Sequence, residues 1–446
     1  AAIPKTLGEA AGPTQPDFES IVMGIIPWPS TTMRALASDD EALRTRLAGP
    51  MEPQEAEQIL WLRLPSLEAR RERIRAMYAR YDENRYLEDL VSGFRPITKS
   101  SGVMGSAAGS RRSQAAIAPQ PGMAALRDEL VQRSIEREME ALRAEYVERL
   151  RVWRESVIRL RFLEIELELG REHTSLLDDL ESVLQANVSA GKSHQSELWE
   201  LMSAREELRT TLFTDREDLA HLQQSLALAL HAEGVTPKIV WTQRGVAADA
   251  VPTPDALRAR LLERSPPLRS KRSERSQARA RLALLERMTA IPLGWRPAAF
   301  ESGLAPQAGA WRRNPDGAAP PDTSARQSAT AAREALLTEA RRRVASLDDE
   351  VKAATIEAET QLSLHVRTTR AALERVHSHR EQLAPLARQS YESLRGAYAA
   401  GRTPYVETIR SARRLIAVEQ GLARAERDFG LHRVRLLALV AGEIEP

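Results

Sequence analysis

Apolar residues recur every three to four positions along two very long stretches of the chain. The first stretch predicts one helix from about 124 to 190, which at 1.5 Å per residue is about 100 Å long. The second predicts a helix over about 326–399. A shorter helix follows each of them, the first ending near His231 and the second covering 404–441. Helices of this length are typical of coiled coils rather than of a single globule.

Each long helix ends at a turn that contains glycine. In the second turn, Gly401 can adopt the left-handed conformation that ends a helix, Thr403 can cap the next helix, and Pro404 fits its first turn. Glu407 then places a carboxylate in that first turn, where the helix dipole favours it. The turn therefore predicts two helices that fold back antiparallel.

The two turns align with one another and indicate an internal duplication. The segment AGKSHQSELW at 190–199 aligns with AGRTPYVETI at 400–409. The matched turn residues are Gly191 with Gly401, Lys192 with Arg402, and Ser193 with Thr403. A short helix, a loop, a very long helix, a turn and a medium helix occur in this order in both halves of the chain.

This order predicts four segments. Residues 1–50 form an N-terminal extension whose apolar cluster, 18–28, either packs on the body or adds a short strand. The other segments are a first repeat at 51–235 with a loop at 95–121 and a turn at 190–194, a connector at 236–253, and a second repeat at 254–446 with a loop at 291–324 and a turn at 400–404.

Composition excludes several classes of function. The 446 residues include 64 Lys and Arg against 62 Asp and Glu, and this balance argues against nucleic acid as a partner. The chain has no cysteine, so it has no disulfide and no thiolate metal site. His377 and His379 point about 200° apart on a helix and cannot share an ion without a further ligand. Since no catalytic or phosphate-binding motif occurs either, we expect no enzyme, no cofactor and no metal.

Several motifs together resemble a known family, the TolC-like outer-membrane efflux proteins, and in particular the heavy-metal and multidrug branch. The matching features are the Pro-x-Leu helix starts at Leu64-Pro65-Ser66-Leu67 and Ser265-Pro266-Pro267-Leu268, the two glycine turns, and the closing helix DFGLHRVRLLALVAGEI. The family's Asn before the proline is absent. The resemblance covers about residues 51–443 and keeps the right order in both halves.

The resemblance implies a mostly α-helical fold of coiled-coil hairpins that assembles as a homotrimer. Three chains with two repeats each would close a twelve-helix α-barrel in the periplasm, where a periplasmic adaptor and an inner-membrane transporter would meet it. The turn residues that would face the adaptor are Gly191, Lys192, Ser193, Gly401, Arg402 and Thr403. The alternative for these residues is that they only end and start helices.

The resemblance also implies a gate at the tunnel entrance. In the family, a tyrosine before the second turn helps to close the tunnel, and two acidic residues after the turn ring the entrance. Tyr398 and Glu407 match the first two positions, whereas Arg410 replaces the second acid. A ring of Glu407 beside Arg410 would hold the entrance shut or remove its preference for cations. The alternative is that Tyr398 only packs and that Glu407 only stabilises a helix start.

The chain departs from the family where the membrane strands should be. Residues 95–121 are rich in Ser, Gly and Ala, and residues 291–324 contain six prolines, which remove donors from any strand. We therefore expect membrane β-barrel strands to be absent or vestigial, and insertion into the outer membrane is doubtful. The leading hypothesis is a periplasmic conduit of an efflux or secretion assembly. The alternatives are a periplasmic scaffold within a larger envelope machine and, more remotely, a cytosolic coiled-coil adaptor.

Overall fold

The structure, a computed structural model, is mostly α-helical. It describes residues 16–22, 25–93, 123–191, 193–232, 234–235, 237–240, 252–289, 295–297, 311–313, 323–400 and 402–441. The helices before the first long one are α1 (Glu19–Val22), α2 (Thr31–Ser38), α3 (Asp40–Ala48), α4 (Pro53–Arg63) and α5 (Pro65–Gly93). The others are α6 (Met123–Ser189), α7 (Gln195–Ala229), α8 (Pro254–Arg264), α9 (Pro266–Thr289), α10 (Thr323–His377), α11 (Ala384–Ala399) and α12 (Tyr405–Leu439).

The long helices lie where the apolar pattern predicts them. The stretch predicted as 124–190 is α6, and the one predicted as 404–441 is α12. Helices at corresponding places in the two halves of the chain have equal lengths. α7 and α12 both have 35 residues, and α4 and α8 both have 11. Prolines begin α4, α5, α8 and α9, where a missing N–H donor costs nothing.

A π-helical turn interrupts the second long helix, so the prediction of one continuous helix over 326–399 is wrong at this point. The turn covers Ser378–Leu383, and the N–H of Ala384 donates to the His379 carbonyl, five residues back. Pro385 follows directly. Its ring has no N–H and clashes with a regular preceding helical turn, so a wider turn accommodates it.

The chain divides into two compact units, each built from three separate stretches. The first unit comprises 1–21, 68–144 and 266–356. Its core contains Leu284 and Leu285 with Leu126, Leu130, Leu337 and Ala340 packed against them. The guanidinium of Arg143 donates to the carbonyls of Ile21 at 2.9 Å and Ser20 at 2.6 Å, which fixes the N-terminal segment to α6.

Two short strands belong to this first unit. They are β3 (Trp295–Pro297) and β4 (Trp311–Arg313), which pair antiparallel with Trp295 opposite Arg313. The prediction of a loop throughout 291–324 is therefore wrong for these six residues, and α10 already begins at Thr323. Tryptophan favours strands and starts both of them. The predicted loop at 95–121 lies outside the described residues.

The second unit comprises 22–67, 145–265 and 357–446. Here Pro50–Met51 (β1) pairs parallel with Lys238–Ile239 (β2). Residues predicted as an extension contribute to the core, because Val22, Ile25 and Ile26 are buried. Among the described residues of the apolar cluster at 18–28, these three therefore pack on the body. The short strand β1 lies at the end of the extension. The buried ring of Trp61 meets Tyr146 edge-on at 4.8 Å.

Candidate functional site: the helix turns and the helices beneath them

The first turn ends α6 with a left-handed glycine. Gly191 has φ +70°, a conformation that side chains with a Cβ disfavour. Its N–H donates to the Val188 carbonyl at 3.0 Å, which is the inner hydrogen bond of a Schellman motif. Ser193 follows the turn, whereas Lys192 lies outside the described residues. Gly191 therefore ends the helix as its sequence position suggests.

The second turn shows the outer bond of the same motif. The N–H of Arg402 donates to the Ala397 carbonyl at 2.9 Å, five residues back. Gly401 lies outside the described residues, so its left-handed conformation stays a prediction. α12 begins at Tyr405, and Pro404 precedes it. The prediction that Pro404 lies in the first turn is wrong by one residue, and Thr403 stands one position before the capping site.

Tyr398 and Tyr405 face each other across the second turn. Their ring centroids are 4.7 Å apart and tilted by 53°. The Asn187 amide of α6 donates to the Tyr398 hydroxyl, and the Tyr405 hydroxyl donates to the Leu180 carbonyl. Both rings thereby connect the second turn to α6. Burial, followed by the neighbouring Tyr398, raises the pKa of Tyr405 well above its usual value, so its hydroxyl remains a donor.

Glu407 and Arg410 form an ion pair within one helix. Arg410 Nη1 lies 2.9 Å from Glu407 Oε1, one turn apart on α12. The side chains are 45% and 70% exposed for Glu407 and Arg410, respectively, so the pair contributes little to stability. Its consequence is electrostatic, because the arginine neutralises the carboxylate inside the same chain.

A leucine-rich cluster holds four helices together beneath the turns. It combines α6, α7, α11 and α12 through thirteen buried residues, namely Leu167, Leu177, Leu180, Leu184, Leu201, Leu208, Leu212, Ala387, Tyr391, Tyr405, Ile409, Ala412 and Leu415. α6 and α7 approach closely at Gly170, where an added Cβ would lie 2.1 Å from Leu212 Cδ2. α6 therefore contacts both α7 and α12.

A polar cluster links α6, α11 and α12 farther from the turns. His173 Nε2 lies 3.0 Å from Glu419 Oε2, and Arg388 Nη2 donates to the other oxygen of this carboxylate at 2.6 Å. The His173 side chain is buried and that of Glu419 nearly so. The hydrogen bond from His173 lowers the pKa of Glu419, and Arg388 adds to this effect.

Sequence reasoning missed Asn187, Tyr405 and this polar cluster. Tyr405 follows Pro404 at the start of a helix, which marks its place but not its partner Leu180, 225 residues earlier. Asn187 and Glu419 give no local signal, because their partners lie on helices distant in sequence.

No protein-family model and no curated protein sequence matches the chain. Solved structures of membrane channels do. CusC, whose structures describe folding and transmembrane channel formation, aligns with a TM-score of 0.62 at 14% identity, over 87% of this chain and 91% of CusC. The outer membrane channel MtrE of Neisseria gonorrhoeae in its open state gives 0.62 and 14% over 87% and 88%.

The outer membrane protein VceC of Vibrio cholerae aligns over 94% of this chain and 100% of its own, with a TM-score of 0.57 and 15% identity. At such identities the likeness shows the fold. Among the helices that the structure describes, none combines the length and apolar composition of a membrane span. The resemblance found in the turns and helix starts is thereby confirmed at the level of structure, and the chain has the fold of the TolC-like outer membrane channels.

Proposed function

We propose that the protein is the periplasmic conduit of an efflux or secretion assembly and works without catalysis. The observation that carries this proposal is the likeness to CusC, MtrE and VceC, which extends over most of each channel. The corresponding lengths of α7 and α12, and of α4 and α8, support two internal repeats. Three chains would then supply twelve helices to one α-barrel. The protein would reside in the periplasm, with or without attachment to the outer membrane.

The two turns are the proposed docking site for a periplasmic adaptor that connects the barrel to an inner-membrane transporter. The exposed side chain of Arg402 and the exposed Gly191 backbone support this role. Lys192 and Gly401 complete the proposed surface together with Ser193 and Thr403. Because hydrogen bonds already fix both helix ends, a partner would meet a surface that loses little conformational entropy on binding.

The gate is proposed to consist of Tyr398 with its partner Asn187 and of the pair Glu407 and Arg410. The Asn187 amide holds the Tyr398 hydroxyl against α6, which would keep α11 close to α6 and the entrance narrow. Arg410 neutralises Glu407 within the same chain. We therefore expect an entrance with little preference for cations.

If the protein forms a pore in planar bilayers, its conductance tests the gate. Otherwise, transport in cells tests the gate. Asn187→Ala combined with Tyr398→Phe should widen the entrance and raise flux several-fold, because the bond between α6 and α11 is lost. Arg410→Ala should restore a preference for cations. As a matched control, Arg413→Ala removes an exposed arginine of α12 and should change neither property.

Gene deletion followed by rescue separates the conduit from the alternative, a periplasmic structural scaffold. The measured quantity is transport, which should be lost on deletion and restored by the intact protein. The conduit predicts rescue by wild type and failure of a variant with bulky replacements in the gate. A scaffold predicts that the gate variant rescues fully, and that envelope proteins other than an adaptor and a pump are recovered after cross-linking in cells.

A further inference from the structure

Two half-buried histidines lie at the same level where α10 packs on α12. The register of these helices is set by a small cluster of buried residues, namely Ala372, Val376, Ala425 and Phe429. His365 lies seven residues before Ala372, and His432 lies seven residues after Ala425. Because seven residues are about two helical turns, each histidine lies on the face of its helix that carries the cluster. In an antiparallel pair of helices, the two histidines therefore come together.

Most of the charge beside these imidazole rings is positive. Arg435 lies one turn after His432 on α12 and acts on both rings. Arg375 of α10 acts on His432 as well. The negative group that acts on His432 is Asp428, one turn before it on α12. A proton taken up by either ring would therefore meet more repulsion than attraction.

The acidic residue that α6 brings to this place is already engaged. The side chain of Glu155 is 8% exposed, and its carboxylate accepts a hydrogen bond from Arg435 Nε at 3.0 Å. Arg151 of α6 also donates to this carboxylate. Because two arginines share its charge, Glu155 offers little compensation to a protonated histidine.

Both histidines are held in their neutral form while the helices are packed. Burial lowers the pKa of His365, and Arg435 and His432 lower it further. Burial and then Arg435 also lower the pKa of His432, although Asp428 acts in the opposite direction. At neutral pH the contact between α10 and α12 therefore contains two uncharged rings.

We propose that His365, His432 and Arg435 form an acid-sensitive latch, which keeps α10 on α12 at neutral pH and releases it when both rings are protonated. Separated helices would expose the rings to water, where they take up protons at the ordinary histidine pKa. The packed helices take up these protons only at a lower pH. The latch therefore stabilises the packing above the ordinary histidine pKa, and this stabilisation is lost as pH falls through the lowered values.

The two halves of the chain can be aligned residue by residue at this place. α6 ends at 189 and α11 at 399, a separation of 210 residues. The π-helical turn adds one residue to the second half, so positions before this turn should correspond at a separation of 209. The buried pairs Val157 with Val366 and Leu167 with Val376 agree with this value.

The latch belongs to the second hairpin alone. At these separations, His365 corresponds to Ser156 of α6 and His432 to Leu222 of α7, and neither side chain titrates in this pH range. The histidines therefore occur in the hairpin that also carries the residues of the proposed gate. They lie at its base, because α12 ends at Leu439, two turns after His432.

Release of the latch would loosen the base of the second hairpin and leave the first hairpin packed. The acid-induced separation of α10 from α12 follows from the contacts within one chain. Only its consequence for transport, a higher flux in acid, rests on the proposed function.

Hydrogen exchange of the intact protein, followed by mass spectrometry, tests the latch directly. On going from about pH 8 to about pH 5, amides of 360–369 and 428–437 should exchange severalfold faster after correction for the intrinsic pH dependence of exchange. The corresponding segment of α7, 218–227, contains the exposed His221 and should show no such acceleration. A metal chelator in both buffers ensures that the response reports protons.

Three variants separate the latch from a general effect of acid. His365→Gln/His432→Gln keeps polar side chains that cannot be protonated, so its exchange should be equally slow at both pH values. His432→Lys supplies a permanent charge and should exchange fast already at about pH 8. His221→Gln, the matched control, removes an exposed histidine and should respond like wild type.

The latch would be overturned by wild-type protein that shows no acceleration in acid, or by acceleration that persists in His365→Gln/His432→Gln. Slow exchange of a helical His432→Lys at both pH values would overturn it as well. Circular dichroism shows whether each variant retains its helices, and the wild-type and His432→Lys results decide the question even if the double variant does not fold.

Flux at the two pH values separates the latch from the conduit. Acid-accelerated exchange in a protein that transports nothing would support the latch and refute the conduit. A transporting protein whose segments 360–369 and 428–437 do not respond to acid would refute the latch alone.

Discussion

At the scale of single residues, glycine has three different roles in this chain. Gly191 supplies a left-handed backbone, Gly170 lets two helices approach, and Gly396 sits in an open helical position where an added Cβ would meet no atom within 4 Å. The same replacement at each position therefore separates backbone strain from steric overlap, with Gly396→Val as the common control.

Gly191→Val should destabilise the fold by about 1–2 kcal/mol, because valine disfavours φ +70°. Nothing lies within 4 Å of the added Cβ, so the cost comes from the backbone alone. Urea unfolding followed by circular dichroism measures it. If Gly191→Val and Gly396→Val shifted the midpoint equally, Gly191 would not be a helix-ending residue.

Glu419 makes stability depend on pH in the acid range. Its pKa is lowered chiefly by the hydrogen bond from His173, so the unfolded chain takes up this proton at a higher pH than the folded chain. Glu419 therefore stabilises the fold at pH values above the ordinary carboxyl pKa, and this stabilisation is lost as pH falls through the lowered pKa. Glu419→Gln should cost on the order of 2 kcal/mol at neutral pH and less in acid.

Glu166 is the matched comparison, because burial, followed by Asp215, raises its pKa. The pH dependence of the stability due to Glu166 therefore runs in the opposite direction: this stability is lost as pH rises through the raised pKa. Compared with wild type, Glu166→Gln should therefore gain free energy of unfolding as pH rises towards neutral. Parallel pH profiles for Glu419→Gln and Glu166→Gln in urea unfolding would refute the assignment.

At the scale of elements, helix limits were predictable where a local signal sets them. Gly191 ends α6 through its own backbone, and Pro65 and Pro266 start α5 and α9. Three features escaped prediction. Helices α2 and α3 begin at the ordinary N-caps Ser30 and Asp39, which the mixed composition of this segment concealed. Pro385 changes the preceding helical turn to a π turn. Strands β3 and β4 depend on pairing with each other.

The close approach of α6 and α7 depends on Gly170. Gly170→Val should cost on the order of 2 kcal/mol, because its Cβ would overlap the Leu212 side chain and push the two helices apart. Thermal unfolding by calorimetry measures this cost, with Gly396→Val expected within 0.5 kcal/mol of wild type. A cost for Gly170→Val no larger than that of the control would show that α7 does not press against this site.

At the scale of the whole molecule, the fold was predictable from the order of motifs. In the candidate site, the two turns follow from the alignment of 190–199 with 400–409, and Tyr398 was expected only from the family resemblance. Asn187 and the Leu180 carbonyl that receives Tyr405 depend on contacts between distant helices, and local patterns carry no information about such pairs.

We propose that three copies of this chain close one ring of helices. Native mass spectrometry of the purified protein at micromolar concentration tests this assembly. We expect one dominant species at three times the 49.7 kDa of a single chain. A dominant species with the mass of one chain or of two chains would contradict it.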